Sequence, residues 1–461
     1  MKSLSFAQQV PITRQVTVLR DAAQANPALA AQTSGIWTGL QQSEAKLIAL
    51  MNGQQPPDSA PGKIEQGPLL YMLHHPPDWL APVLDPLLKL LDVPPTKITD
   101  ADIQRWEKTI EGPGVVASDG TLVSDVKYAT FDPDWILSVF DYLYYYIFFP
   151  DQKVAFRTTP ARLKPKGDSL TVAILGDWGT GVWQDGSQPA CPSQLVMQNL
   201  QKSSPDIAIH LGDVYYTGAL GGELLPPEEA DNFVKLWPSF PLSLTLNSNH
   251  EMYDGGNGYF KVALESGTFK NQAKTSYFSI EFGNWVIFGL DSAYYDTSIL
   301  VMDGAIKDSD QLNFISTFDL TDKKVMVLTH HNGLSTDGTV ITSLWNDVYA
   351  ALGNRNPDYW YWGHIHDGVV YARQTATGNI LARCAGHGAL PFGDAYGLHD
   401  KQGNPVPSVV YYAHTRLSSD DPRQKNRVLN GYAVLKFTTD SVTETFYDQT
   451  GSKAWTSAPS S

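Results

Sequence analysis

An α/β domain behind a mostly helical leading segment is the fold class this sequence predicts, and three observations predict it. From residue 170 onward, short β-rich apolar runs alternate with longer amphipathic stretches, the texture of strands joined by crossover helices. Five of these runs each end in a residue able to bind a hard cation. The first 156 residues carry helical spacing instead.

In the leading segment, Ile36, Leu40, Leu47 and Met51 recur at helical spacing and stop before Gly53. A second helix is marked by Asp100 as cap, by Ile103, Trp106 and Ile110 on one face, and by Gly112-Pro113 as stop. Pro133 then suits the first position of an aromatic helix, "WILSVFDYLYYYIFF" at 135 to 149. That run holds Asp141 and falls short of the ~20 residues of a membrane span, so it reads as a buried helix. His74 and His75 in "YMLHHPPDW" are assigned to packing or a loop. The segment "RTTPARLKPKGDS", rich in proline and charge, reads as a linker. The expected organisation is therefore a mostly helical domain of no assigned role over 1–156, a linker over 157–169, a catalytic domain over 170–450 and a tail over 451–461.

Composition narrows the function classes. A chain of 461 residues suggests two or three structural units. A formal charge of -15 repels a nucleic-acid backbone, so nucleic acid is not an expected partner. The two cysteines, Cys191 and Cys384, make neither a disulfide framework nor a zinc pattern. The N-terminus shows no signal-peptide pattern, which favours a cytoplasmic location. No transmembrane segment is expected.

The five runs and their ends carry the chemistry. "TVAIL" leads to Gly176-Asp177, "DIAIHL" to Gly212-Asp213, "LSLTLN" to Ser248-Asn249-His250-Glu251, "VMVLT" to His330, and "YWYW" to Gly363-His364-Ile365-His366. Ligands of open α/β sheets bind at the carboxyl ends of the strands, so these side chains should meet at one edge. Two carboxylates, an amide oxygen and three imidazoles exceed one four-coordinate zinc and suit a metal pair. Metals about 3.5–4 Å apart are standard machinery for in-line displacement at phosphorus.

The ordered set "GDWG", "GDVYY", "SNHE", "VLTH" and "GHIH" resembles the calcineurin-like metallophosphoesterases, in particular their purple acid phosphatase branch, over roughly 170 to 450. The resemblance implies a four-layer β-sandwich of the metallophosphoesterase type, flanked by helices. Most of that superfamily has a metal-binding His in the first motif, where this chain has Gly179. In the purple acid phosphatase pattern that position is Gly and a tyrosine three residues past the second motif's aspartate takes the vacant place. Carried over, the resemblance implies that Asp177, Asp213, Tyr216 and His366 bind one metal. Asn249, His330 and His364 would bind the other, Asp213 would bridge, and a metal-bound water or hydroxide would attack phosphorus. On this reading Tyr215 is left to packing.

A phenol has a pKa of about 10, so a tyrosinate ligand calls for a strong Lewis acid. Fe(III) is accordingly expected at the tyrosine site and divalent Zn, Mn or Fe at the second. His250, beside Asn249, is expected to contact the phosphate or donate a proton, the other reading being that it holds its loop. His331 and His387 are further candidates for the substrate side. Asp291 is expected to shape a turn or support a ligand, and His210 to be a core histidine. Ser248 stands where relatives have Gly, which requires backbone outside the left-handed region.

The expected activity is hydrolysis of small phosphomonoesters. The alternatives are a phosphodiesterase acting on nucleotide or phospholipid headgroup esters, and a non-catalytic binding domain, which would predict eroded ligands.

Overall fold

The computed structural model describes residues 135–459 apart from 185–189, 222–225, 374–379, 393–397, 401 and 419–426, and of the first 134 residues only 17–26, 89, 115–116, 122–123 and 128. The helices expected around 36–51 and 100–110, and His74 and His75, lie outside the described residues.

The elements follow in chain order. Two short strands, β1 (Val115–Val116) and β2 (Leu122–Val123), pair with each other. The aromatic run forms α1 (Trp135–Tyr142), continued by a π-helical turn over Leu143–Phe148. Then come β3 (Ala161–Leu163), β4 (Ser169–Leu175), α2 (Pro192–Lys202), β5 (Ile207–His210), β6 (Leu242–Thr245) and the short α3 (Asn249–Tyr253). They are followed by β7 (Phe278–Phe282), β8 (Trp285–Gly289), α4 (Ser309–Ser316), β9 (Lys324–Leu328), α5 (Ser343–Ala351) and β10 (Tyr359–Trp362). Last are β11 (Gly368–Tyr371), β12 (Leu381–Ala385), β13 (Val409–Tyr412), β14 (Gly431–Thr438), β15 (Val442–Asp448) and β16 (Lys453–Thr456).

The strands form two larger sheets, one ordered β13-β11-β12-β10-β9-β8-β7-β3 and the other β16-β15-β14-β4-β5-β6. Strand alternation explains why both faces of each are apolar. On β4, Leu170, Val172 and Ile174 join the cluster between the sheets, while Ala173 and Leu175 face the cluster that holds α2 residues. On β10, Tyr359 and Tyr361 point between the sheets, and Trp360 and Trp362 toward the α4 and α5 side. Strands covered on both faces read as continuous apolar runs, which is what "YWYW" and "TVAIL" are. The result is a helix, sheet, sheet, helix layering.

Two expected boundaries move. The segment 157–169 is not purely a linker, because β3 inside it pairs in parallel with β7. The stretch beyond 450 is not a plain tail either, since β16 adds to the hairpin of β14 and β15. Both are edge strands, too short and too polar for the sequence pattern to reveal.

Parallel pairing sets the polarity of the site. β4, β5 and β6 run parallel in one sheet, and β8, β9, β10 and β12 in the other. All five motif-bearing strands therefore present their carboxyl ends on a common edge where the two sheets meet.

Candidate metal centre

Backbone contacts bring the strand ends together before any side chain is considered. Gly176 N donates to Ala385 O at 2.7 Å and Gly363 N to His330 O at 3.0 Å. A β-carbon on Gly363 would stand 2.7 Å from Asp177 Oδ2, so glycine is what lets the β10 end close on the β4 end. His364 N then donates to Asp177 Oδ2 at 2.9 Å. Asp177, Asp213, His364 and His366 all have left-handed backbone, with φ of 58°, 77°, 66° and 50°. Non-glycine residues seldom adopt that region, and such departures cluster at functional sites.

The side chains separate into two groups that share one carboxylate. In the first, His366 Nε2 lies 3.1 Å from Asp177 Oδ1 and 3.8 Å from Asp213 Oδ2. In the second, His330 Nε2 lies 2.9 Å from Asn249 Oδ1, 3.1 Å from His364 Nδ1 and 3.2 Å from Asp213 Oδ1. His364 Nδ1 completes it, 3.2 Å from Asn249 Oδ1. Asp213 thus turns one oxygen to each group. His330 Nδ1 sits 2.9 Å from Leu211 O, and because a carbonyl only accepts, the proton belongs on Nδ1 and Nε2 faces inward with its lone pair.

The hydroxyl that meets the first group is Tyr215's, where the expected ligand was Tyr216. Tyr215 Oη lies 3.1 Å from Asp177 Oδ1, 3.0 Å from Asp213 Oδ2 and 3.0 Å from His366 Nε2. Tyr216 instead packs its ring 4.9 Å from that of Tyr128, and its carbonyl lies 2.6 Å from His250 Nδ1. The physical reason lies in the neighbouring turn. Gly179 bridges Val214 in parallel, and a β-carbon on Gly179 would stand 2.5 Å from Val214 Cα. The backbone after Asp213 therefore lies flat against the first motif, and Asn232 Nδ2 anchors Tyr215 O at 2.7 Å. Gly179 admits this close approach of chain as well as lacking a ligand side chain.

The remaining candidates divide clearly. His250 is 2 % exposed, and with Nδ1 held by the Tyr216 carbonyl its Nε2 lies 3.9 Å from Asp213 Oδ2, facing the centre. Ser248 is extended (φ -136°, ψ 178°) and caps α3 by accepting from His250 N, so serine fits where relatives have glycine. Glu251, three residues on, accepts from the Ser248 hydroxyl and from Asp213 N, the Ser-x-x-Glu pattern of a capped helix start. His331 does not reach for substrate: its Nδ1 meets Ser292 Oγ and its Nε2 meets Val301 O, each at 2.8 Å. Proximity alone groups it with His330 and His364, but Asn249 Oδ1 is the atom that completes that set. His387 is not at the site mouth either. It is wedged against Gly368 and Gly431 and near-parallel to the Phe446 ring, and burial pushes its imidazole down to about 3. Asp291 accepts from Ala293 N, Tyr294 N and Asn247 Nδ2, the expected turn role. His210 is fully buried against Phe233, with its imidazole likewise pushed down to about 3 by burial.

The leading segment also touches this centre, which no motif announced. Tyr128 donates to Thr180 O at 3.3 Å and packs its ring, tilted, against those of both Tyr215 and Tyr216. Ser138 on α1 donates to Tyr216 O at 3.4 Å.

The residues fit metal ions. Cis donor atoms on one metal, with bonds of about 2.1 Å, stand ~3 Å apart, and the contacts within each group match that edge length. Hydrogen bonding accounts for them less well, since one phenol proton cannot serve two carboxylates and an imidazole. Burial first, and then the charge of Asp213, push Asp177 up to about 7, a repulsion that a cation would relieve.

Comparison with known proteins shows what this region is similar to. Residues 170–368 match the family model of the calcineurin-like phosphoesterases. The chain is similar to that family over this stretch. Its two sheets and flanking helices are the mixed α/β metallophosphoesterase fold, and such a domain implies metal-dependent phosphoester hydrolysis with divalent ions. No curated protein matches the chain. Among solved structures, GAP50, described as the anchor in the inner membrane complex of Plasmodium, is 13% identical, with 63% of this chain and 88% of that one covered at a TM-score of 0.43. PhoD is 11% identical, with 64% and 73% covered at 0.37. Vps29 of Entamoeba histolytica complexed with zinc is 11% identical, with 63% and 98% covered at 0.25. No helix among the described residues is long and apolar enough to cross a membrane.

Proposed function

We propose that the phosphoesterase domain is a binuclear phosphatase acting on small phosphomonoesters, with a purple acid phosphatase-like first metal position. Asp177, Asp213, Tyr215 and His366 would hold the first ion, Fe(III), and Asn249, His330 and His364 would hold a divalent Zn, Mn or Fe, with Asp213 shared. The observation that carries this reading is the pair of donor groups meeting on the two oxygens of Asp213. Bound there, two ions would supply Lewis acidity at the phosphoryl oxygens and lower the pKa of a water for attack on phosphorus.

The chain's own part is positioning and proton handling. Its left-handed turns and glycine contacts fix the donors before any ion arrives, so little reorganisation accompanies binding. His250 has its Nδ1 proton engaged by a carbonyl, so Nε2 is the atom that would hold a proton toward the leaving oxygen or meet the phosphoryl charge. The 1–156 segment contributes Tyr128 and Ser138 as supports of the Tyr215-Tyr216 turn.

The test combines metal analysis, an absorption spectrum of the isolated protein and a panel of chromogenic monoester and bis-ester phosphates. Two ions per chain, a visible tyrosinate band and monoester preference are expected. Preference for the bis-ester would turn the reading to a phosphodiesterase. Inactivity on both with two ions bound would leave only a binding domain.

A further inference from the structure

In the second donor group, Asn249 alone carries an amide, whose oxygen can meet a cation and whose NH2 cannot. Its Oδ1 lies 2.9 Å from His330 Nε2 and 3.2 Å from His364 Nδ1. Hydrogen bonding does not favour that orientation. His330 gives its Nδ1 proton to Leu211 O, so its Nε2 meets Asn249 Oδ1 lone pair to lone pair. An unrestrained amide would turn its NH2 toward that imidazole and its oxygen away from any ion.

The restraint comes from one helical turn away. Tyr253, four residues on along α3, places its Oη 3.0 Å from Asn249 Nδ2, and both side chains are buried. The same Oη donates to Leu300 O at 3.0 Å. A phenol has one proton and a carbonyl only accepts, so that proton is committed to Leu300 and lone pairs face Asn249. Lone pairs accept from an NH2 and repel an amide oxygen, so the phenol distinguishes the two ends of the amide. Nδ2 has Met302 Sδ as a further contact at 3.9 Å, a weak acceptor. Leu300 and Val301 are both left-handed, with φ 53°, and Val301 O takes the Nε2 proton of His331. The turn Ile299–Val301 thus ties Tyr253 and the neighbour of His330 to one short stretch of backbone.

We propose that Tyr253 is a positioning residue for the second metal position, its hydroxyl, fixed by Leu300 O, holding the Asn249 amide with its oxygen toward His330 and His364. The proposal rests on the reading of Asn249, His330 and His364 as donors to a second ion. Tyr253 touches neither ion nor substrate on this account, and acts through Asn249 alone.

The test uses the full chain, stripped of metal and titrated with zinc against a chromophoric chelator. The parent is expected to take up two ions, and the step that His330→Ala loses belongs to the second position. Tyr253→Phe should weaken that step about 10–100-fold and leave the other unchanged. Asn249→Asp presents two like oxygens with no orientation to hold, so adding Tyr253→Phe to it should change the step by less than about threefold. A purely structural phenol would weaken binding alike in both backgrounds, and that outcome overturns the proposal. An unchanged second step in Tyr253→Phe, with two ions bound by the parent, overturns it too and leaves the binuclear reading standing. A parent that binds fewer than two zinc ions overturns the binuclear reading and this proposal with it. If Tyr253→Phe does not fold, the zinc-loaded parent decides. With isotope-labelled asparagine, the Asn249 amide protons, identified by their loss in Asn249→Asp, should show a nuclear Overhauser contact with the Tyr253 ring, and its absence overturns the proposal.

Discussion

At the residue scale, two adjacent tyrosines of identical chemistry have different tasks because one hydroxyl is delivered to three metal-type donors and the other ring to an aromatic neighbour. Tyr215 Oη lies within 3.1 Å of Asp177, Asp213 and His366, while Tyr216 packs on Tyr128. Tyr215→Phe should lower affinity for the first ion about 10–100-fold, a cost of the size seen when support of a metal site is lost, and should remove the visible band. Tyr216→Phe should keep both. Metal content and absorption of the two variants, side by side, check this, and the reverse pattern would return the ligand role to Tyr216. Spacing from Asp213 could not make this choice, because a loop's register depends on what it lies against.

At the scale of elements, the centre exists because strand ends from two sheets approach more closely than side chains would allow. Gly179 is the sharpest case, with a β-carbon there standing 2.5 Å from Val214 Cα and 2.8 Å from Asp213 O. Backbone cannot yield as a side-chain tip can. Gly179→Ala should therefore cost about 1–3 kcal/mol, the range for overpacking, and weaken metal binding by displacing the Asp213 turn. Denaturant unfolding with an unchanged m-value, together with metal titration, measures both. The sequence shows Gly179 as the absence of a ligand; the structure adds that the glycine is a contact surface. The capped start of α3 works the other way, since Ser248 and Glu251 stand in "SNHE" at the spacing that the cap requires.

At the scale of the whole molecule, buried histidines couple stability to pH. Burial holds His210 and His387 down to about 3, far below the ordinary imidazole value of 6.5. Both are neutral in the fold and take up protons on unfolding. Their contribution is therefore fully present above pH ~6.5 and is lost as pH falls toward 3, at about 1.4 kcal/mol per pH unit for each histidine. In denaturant unfolding of the chelated protein from pH 7 to 4, His387→Phe should change the slope relative to the parent by the share of one proton, while the carboxyls of Asp177 and Asp254, held up at about 7 by burial, act in the opposite sense in both proteins. A slope unchanged by that variant would mean that His387 is protonated in the fold.

The sequence by itself determined the α/β class, the strands of the five motifs, and that Asp177, Asp213, Asn249, His330, His364 and His366, with His250 beside them, stand at strand ends that meet. Each of these follows from residue type at the end of an apolar run, and strand direction turns that order into a common edge. Tertiary structure alone decided that the Tyr215 hydroxyl and not the Tyr216 ring meets Asp177, Asp213 and His366, the buried contacts of His331 and His387, the strands β3 and β16, and the acids around Gly218. Those depend on which distant segments touch: His331 on Ser292 and Val301, Tyr216 on Tyr128 and His250, Glu229 on Gly218 and Glu251. A motif states what chemistry a strand end can do, and the packing around it selects which atoms arrive.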